Sequence, residues 1–509
     1  MAIKRYTAIK DNTITNAYES NLTTRGTGSN MGLADSLEVF SIYAQANSSS
    51  NEQCKFLVQF PVTTSDSTTP NSLYTIQGDR TAGKIPASGS VEFYLRIFNV
   101  ATDQTLPRDF TLIVSPVSQS WEEGYGLDME GYLDITYNRT GSNWIKATGD
   151  TNWADKDGQN QQGGSFLSAS WMGSGSTYYD EFNFKQTYSE GTEDLEIKIT
   201  GLVEKWIATG AADFSNYGVG VMLTGSEASG SQRSYYTKKF SARESEYFFK
   251  RPIIEARWDN TTKDQRGNFY ISSSNLSATN NLNTLYIYNY VRGQPTDIDT
   301  VSGNIYVNVF TSASAGLQLT TTPNQPVTGG RSDTGIYTAS FALSTTASLV
   351  YDRWFSGSTD PDSATYYHTG SFRPKTFDAS DVYLTPRYVT TMTNLLSEYY
   401  NGDVARMRLF TRMKDWSPTI YTVASKAIEN SFIENAYYKV IREIDDSVVI
   451  AYGTGSDNHT LLSYDATGSY FDLDMKLLEP KYSYGIKFLF YINGVYEEQP
   501  EIFRFRIKE

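Results

Sequence analysis

The chain has 509 residues, of which 39% are hydrophobic, 20% charged and 14% aromatic. That balance excludes a disordered polyelectrolyte and a bundle of membrane-spanning helices. Lysine and arginine number 43 against 57 aspartates and glutamates; the net charge of −14 disfavours sequence-wide binding to nucleic-acid phosphates.

At roughly 100–200 residues per domain, the length suggests three or four domains, each able to bury a core. Tyrosine alone supplies 38 residues. Tyr, Phe and Thr suit a pleated, half-buried strand surface, and Gly, Asn and Ser serve turns, so the expected class is all-β. Cys54 is the only cysteine, and an intrachain disulfide is therefore impossible. It sits in the alternating run 53–60 and reads as a buried thiol. Only His368 and His459 are available for imidazole chemistry, and neither stands in a catalytic motif. Phosphate-binding Gly-Lys-Ser/Thr loops, nucleophile elbows and paired-cysteine metal motifs are missing from the sequence. The start Met1-Ala2-Ile3-Lys4-Arg5-Tyr6 lacks an apolar signal core, and no run of about 20 apolar residues follows, so the expectation is synthesis in a reducing cytosol.

In chain order, residues 37–43, 56–60, 91–100 and 110–117 alternate as strands between Gly/Ser/Asn/Thr loops. Residues 199–207 predict a short helix, with Leu202, Val203, Trp206 and Ile207 at helical spacing and Thr200 as a cap. Lys238-Lys239, Arg233 and Lys250-Arg251 read as solvated strand ends. Residues 285–290, 303–310 and 335–341 carry the next strand signals, spaced as in an Ig-like sandwich. Residues 403–410 and 437–442 alternate well. The clearest hairpin pairs 484–491 with 502–507 around Asn493-Gly494 and an acidic loop. Within it Arg504 and Arg506 alternate with Phe503 and Phe505, setting charge on one face and rings on the other. Breaks near 258–263 and 370–380 predict domains 1–258, 259–380 and 381–509.

Four stretches of the first domain carry a family likeness: Asp11-Asn12-Thr13-Ile14 with Ser29-Asn30-Met31-Gly32 and residues 36–39; residues 56–60; Trp121-Glu122-Glu123-Gly124; and residues 199–206 with Asn216-Tyr217-Gly218-Val219 and Arg251-Pro252-Ile253-Ile254-Glu255. In that order they resemble the DNRLRE domain, which implies a jelly roll over about half the chain. The sequence departs from that family by a polar, aromatic-rich insertion at about 128–190. Near the C-terminus, Tyr470-Phe471-Asp472-Leu473-Asp474-Met475, Leu478-Glu479-Pro480, residues 482–488 and residues 497–505 resemble structural proteins of contractile-tailed phages of marine cyanobacteria. That likeness implies a place in a virion and does not say which part.

Three groups of residues have a chemical reading and a structural one. Trp121-Glu122-Glu123 is either a carboxylate pair beside a ring, as in a glycosidase, or a corner tryptophan with surface carboxylates; adjacent residues do not converge on one cleft as a glycosidase pair must. Trp144, Trp153, Trp171, Tyr178 and Tyr179 suit a protein interface, stacking on sugars, or burial against the insertion's own strands. Asp155-Lys156-Asp157-Gly158-Gln159-Asn160 is part of a calcium-loop pattern that lacks its distal glutamate, or an Asx turn.

The expected architecture is a jelly-roll β-sandwich followed by two smaller Ig-like β-sandwiches. The expected role is a non-enzymatic virion component of neck, tail, baseplate or capsid surface, assembled in the host cytoplasm. Its partners would be other virion proteins and further copies of itself, with no cofactor, metal, nucleic acid or membrane. Trp144, Trp153, Trp171, Tyr178, Tyr179, Arg504 and Arg506 are the candidate contact residues, and a carbohydrate-binding adhesin is the alternative reading.

Overall fold

The computed structural model describes all residues except 1, 64–73, 103–105, 128–140, 156, 168–181, 209–213, 229–232, 300–303, 315, 358–363, 377–385, 417–418 and 421–429. The fold is all-β, as the composition predicts. The chain divides into two compact units, one of Ala2–Asp259 with Gly455–His459, the other of Asn260–Thr454 with Thr460–Glu509.

Eleven strands build the first unit: β1 (Ile3–Thr7), β2 (Lys10–Thr15), β3 (Ser36–Tyr43), β4 (Asn51–Gln59), β5 (Glu92–Ile97), β6 (Phe110–Pro116), β7 (Phe184–Tyr188), β8 (Leu195–Lys198), β9 (Val219–Leu223), β10 (Ser234–Ser241) and β11 (Ile253–Arg257). They form a four-stranded sheet, β1-β11-β5-β8, and a seven-stranded sheet, β10-β3-β4-β9-β6-β7 with β2 on β4. All pairings in both sheets are antiparallel. This is a jelly-roll-like sandwich, with neighbours in the sheet distant in the chain. Inward-pointing Val39, Phe56, Val58, Leu112, Val114 and Val221 meet Phe93, Leu95, Ile97, Ile254 and Ala256 of the smaller sheet in one core. The predicted helix is Thr200–Ile207, and Leu202, Val203 and Trp206 bury as their spacing requires. Thr200 does not cap it. Its hydroxyl instead accepts the N–H of Phe93 at 2.9 Å, because β5 begins beside the helix start and its donor would otherwise be unpaired.

The second unit holds two sandwich cores. The first contains β12 (Asn283–Tyr288), β13 (Tyr290–Val291), β14 (Gln294–Pro295), β15 (Ile305–Phe310), β16 (Gln318–Leu319), β17 (Thr321–Thr322), β18 (Val327–Asp333), β19 (Ile336–Leu343), β20 (Val350–Gly357) and β21 (Ala364–Phe372). Its eight-stranded sheet runs β12-β19-β18-β15-β20-β21, with β16 on β15 and β17 on β19. The sheet closes over Leu285, Val307, Val309, Tyr337, Phe341, Trp354 and Phe372.

The second core lies between β22 (Tyr388–Met392), β24 (Val404–Met413), β27 (Ser463–Asp465) and β28 (Gly468–Asp474) on one side and β23 (Glu398–Tyr400), β25 (Ala436–Arg442), β26 (Ser447–Ile450), β29 (Ser483–Ile492), β30 (Val495–Glu498) and β31 (Phe503–Lys508) on the other. Phe471 of β28 stacks on Tyr438 of β25 with centroids 4.2 Å apart and meets Phe488 of β29 at 6.1 Å, joining the two sheets. The Asn493-Gly494 turn has φ of 49° and 83°, as a two-residue hairpin requires. It returns β29 into β30, within the stretch that the sequence presents as an acidic loop. β31 then pairs with the other half of β29. One return strand is thus broken at Gln499–Ile502, where Gln499 still donates its N–H to the Phe488 carbonyl at 2.8 Å.

Residues 262–267 tie these two cores together. The N–H of Tyr464 in β27 donates to the Thr262 carbonyl, and Asp264 N–H to the Tyr464 carbonyl, each at 3.0 Å. Two residues further on, Arg266 makes a two-point ion pair with Asp352 at 2.5 and 2.8 Å, and Trp354 Nε1 donates to the same carboxylate at 2.7 Å. Asp352 is fully buried. Removing its arginine strands a buried charge, which costs about 3–5 kcal/mol. Urea unfolding of Arg266→Ala followed by Trp fluorescence is therefore expected to lose stability on that scale, whereas Arg331→Ala, which breaks an exposed, solvent-screened pair with Asp297, leaves the unfolding midpoint nearly unchanged.

Candidate functional site

The seven-stranded sheet has a second buried face. On β2 and β4 the register pairs Lys10 with Gln59, Asn12 with Leu57 and Ile14 with Lys55, and these six side chains point away from the main core. Over them packs a second cluster of Ile14, Leu57, Val117, Trp121, Trp144, Ala147 and Trp153, flanked by Phe166 and Tyr217. Trp121, Trp144 and Trp153 keep 1%, 6% and 0% of their surface. Each indole N–H that the geometry resolves is satisfied: Trp121 Nε1 donates to the Tyr217 carbonyl and Trp153 Nε1 to the Asn143 carbonyl, both at 2.8 Å. Gly163, at φ +82°, lets the loop close onto the Trp144 ring; a Cβ there would stand 2.8 Å from the ring.

Cations on the strands meet these rings. Lys10 Nζ lies 4.5 Å from the Trp121 ring and donates to the Trp121 carbonyl at 2.6 Å. Lys55 Nζ donates to the Gly163 carbonyl at 2.9 Å and sits 5.3 and 5.2 Å from the Trp144 and Phe166 rings. Burial without a carboxylate partner pulls the Lys55 ammonium down to about 8. Asn12 donates to the Ser142 carbonyl and hydroxyl at 2.8 Å, closing the polar gap between strand and insertion.

The carboxylates of the Trp121 element are equally engaged. Glu122 accepts the Gly149 N–H at 3.0 Å. Glu123 accepts the Asp11 N–H at 2.8 Å and an arginine fork from Arg243 at 3.1–3.3 Å. Asp11 in turn accepts the Arg243 backbone N–H at 2.6 Å. Asp11 is wholly buried, opposite Val58 in the register, and its Oδ1 has no hydrogen-bond partner. Burial pushes Asp11 up to about 7 and raises Glu123 as well, with Arg243 opposing both shifts. The arrangement holds three chain segments together around one shared arginine. Its two acids are 0% and about one quarter exposed in their side chains, which leaves little room for a substrate.

Of the candidate contact residues, Trp144 and Trp153 belong to this local core, one of the placements the sequence leaves open. Trp171, Tyr178 and Tyr179 lie outside the described residues. Arg504 and Arg506 are exposed on β31 while Phe505 and Ile507 are buried, so their alternation holds, and Arg504 pairs with Glu443. In the 155–160 loop, Asp155 Oδ1 accepts the N–H groups of Asp157 and Gln159 at 2.9 and 2.8 Å, an Asx turn. Among the described residues no group of three His, Cys, Asp or Glu side chains is placed to hold a metal ion, and no helix is long and apolar enough to cross a membrane. Lys238 is not a solvated strand end: it is buried, donates to the Gly191 carbonyl at 2.7 Å and lies over Tyr188 and Phe240. Cys54 is buried and free.

The sequence missed a second charged constellation. On the outer face of the four-stranded sheet, Glu255 is buried among Arg5, Arg96 and Arg257, at 2.7, 3.2 and 2.7 Å. These arginines hold its carboxyl far below the ordinary range against the opposing pull of burial. Alternation of Arg5, Arg96, Glu255 and Arg257 along three strands was the available signal, but only register brings them together.

No family model matches the chain, and none of the curated proteins matches it.

Asp11 supplies a pH test. Its folded value lies above the unfolded one of about 4, so the folded unit loses stability as pH rises from about 4 to 7, and the full cost persists above. Asp11→Asn is expected to be more stable than the parent by about 2–4 kcal/mol at pH 8 and nearly equal at pH 4. Urea unfolding at pH 4, 6 and 8 reads the difference; a constant offset across that range would contradict this account of Asp11.

Proposed function

We propose that the chain is a non-enzymatic structural component of a tailed-phage particle, held by protein–protein contacts at its neck, tail, baseplate or capsid surface. The observation that carries this reading is the use to which the aromatic and acidic residues of the Trp121 element and the insertion are put. Trp121, Trp144 and Trp153 form a second core, and Glu122, Glu123 and Asp155 are bonded to the chain's own N–H groups and arginine. Groups spent on internal packing are unavailable for stacking sugars or moving protons. What these β-domains offer outward is strand edges and scattered tyrosines, the material of assembly contacts. The resemblance of the C-terminal run to phage structural proteins favours the same reading; its Phe471, Leu473, Tyr484, Phe488 and Phe505 are buried in the last sandwich.

Quantitative mass spectrometry of purified particles is expected to find the chain in fixed copy number, and gold on an N-terminal tag to mark one location in the particle. Mature particles that lack the chain would overturn the proposal. Binding to host polysaccharide that Trp171→Ala abolishes would favour the adhesin in its place.

A further inference from the structure

Lys238 of β10 lies two residues before the core residue Phe240, so its side chain points to the same buried side. Lys239 and Lys198 pair with the carboxylates of Glu38 and Glu92. Lys238 instead donates to the side-chain Oδ1 of Asn99 at 2.5 Å and to the Gly191 carbonyl at 2.7 Å. The rings of Tyr188 and Phe240 lie 5.2 and 5.1 Å from its Nζ. Burial pulls its ammonium down to about 8, with Glu193 and Asp194 opposing, so part of it is the neutral amine at ordinary pH. Lys10 and Lys55 donate to backbone carbonyls, where attack would cut the chain. Asn99 offers a primary amide, which can lose ammonia and leave the chain whole.

Asn99 follows β5 and is held from both sides. Its N–H donates to Asp194 Oδ1 at 2.7 Å, and its backbone bridges Phe240. Val100 N–H donates to the Lys239 carbonyl at 3.2 Å and Ser241 N–H to the Phe98 carbonyl at 2.9 Å. Glu193 Oε1 accepts the N–H groups of Ser189 and Glu190 at 2.8 and 2.9 Å. Its other oxygen, Oε2, is buried without a hydrogen-bond partner among the described residues. An amine, an amide and an idle carboxylate oxygen thus gather at one end of the sandwich.

The geometry points to an intramolecular isopeptide bond between Lys238 Nζ and Asn99 Cγ, made by the folded chain itself with Glu193 as the proton carrier. The neutral amine attacks Cγ, so the Nζ–Cγ bond forms and the Cγ–Nδ2 bond breaks. Glu193 Oε2 takes the proton shed by the attacking nitrogen and passes it to Nδ2, which leaves as ammonia. No oxidant, reductant or cofactor is consumed. The backbone pairing on either side of Asn99 supplies the proximity that such a reaction needs. The product joins the segment after β5, in the four-stranded sheet, to β10, an edge strand of the seven-stranded sheet. It closes the sandwich across 139 positions of chain, in a protein whose single cysteine rules out an intrachain disulfide. Like a disulfide, the bond stabilises by restricting the unfolded chain.

Mass spectrometry of the purified full chain tests this. After allowance for removal of Met1, the parent is expected to be lighter than its sequence by one ammonia. Proteolysis under denaturing conditions is expected to release a branched peptide joining Asn99 to Lys238. Asn99→Ala and Lys238→Met are expected to keep the full mass of their sequences and to melt at lower temperature. In Glu193→Gln, shown to be folded by far-ultraviolet circular dichroism, the link is expected to form at least about a hundredfold more slowly, read in pulse-labelled chain. A parent from which Asn99 is recovered as the free amide or as aspartate would overturn the bond, whatever the variants do. A Glu193→Gln chain that links as fast as the parent would overturn the mechanism proposed for it.

Discussion

The first unit depends on a sheet that is buried on both faces. Phe56 and Val58 of β4 face the main core, while Leu57 between them faces the tryptophan cluster. An antiparallel sheet in a sandwich ordinarily offers its second face to water and alternates apolar with polar. Here the outward positions of β2 and β4 are Lys10, Asn12, Ile14, Lys55, Leu57 and Gln59, a mostly polar set that solvent would suit. The insertion covers them nonetheless. Together with Trp121 and the Asn216 carbonyl it supplies a ring or a carbonyl for the nitrogens of Lys10, Asn12, Lys55 and Gln59, which is the condition under which polar groups can be taken out of water.

That condition explains the placement of the aromatic residues. Trp121 and Trp144 bring large apolar surfaces together with π faces for Lys10 and Lys55, and the loop carbonyls of Trp121 and Gly163 accept their protons. The same solution recurs at Lys238, which lies over Tyr188 and Phe240. Carboxylates are met by arginine forks instead, at Glu255, Glu123 and Asp352. An arginine presents several donors in a fixed plane and stays charged when buried, which a lysine does not. Asp11 is the exception. The Arg243 guanidinium beside it is committed to Glu123 and Glu244, its Oδ1 is left without a donor among the described residues, and it therefore holds its proton to near neutrality.

Residues 262–267 perform the corresponding service in the second unit. They lie beside β27 of one sandwich and send Arg266 into the other, so a connecting segment becomes a structural member of both. Composition alone marks such a stretch as a linker, because Asn260-Thr261-Thr262-Lys263-Asp264 is polar throughout. Its bonds are to the backbone and to a buried carboxylate, and neither partner is near in the chain.

The sequence by itself determined the β class, the strands whose side chains alternate, the short helix and its buried stripe, and the charged and aromatic sides of β31. These follow from a period of two or 3.6 residues, which is a local property of the chain. Tertiary structure alone decided the rest. Whether Trp144 and Trp153 face water or a sheet depends on what lies across from them. Thr200 serves β5 and not its own helix because a donor some hundred residues away reaches it first. Asn493-Gly494 turns β29 into β30 because that return strand finds a free edge. The arginines around Glu255 and the orphaned oxygen of Asp11 come from register between distant strands, which no local pattern encodes.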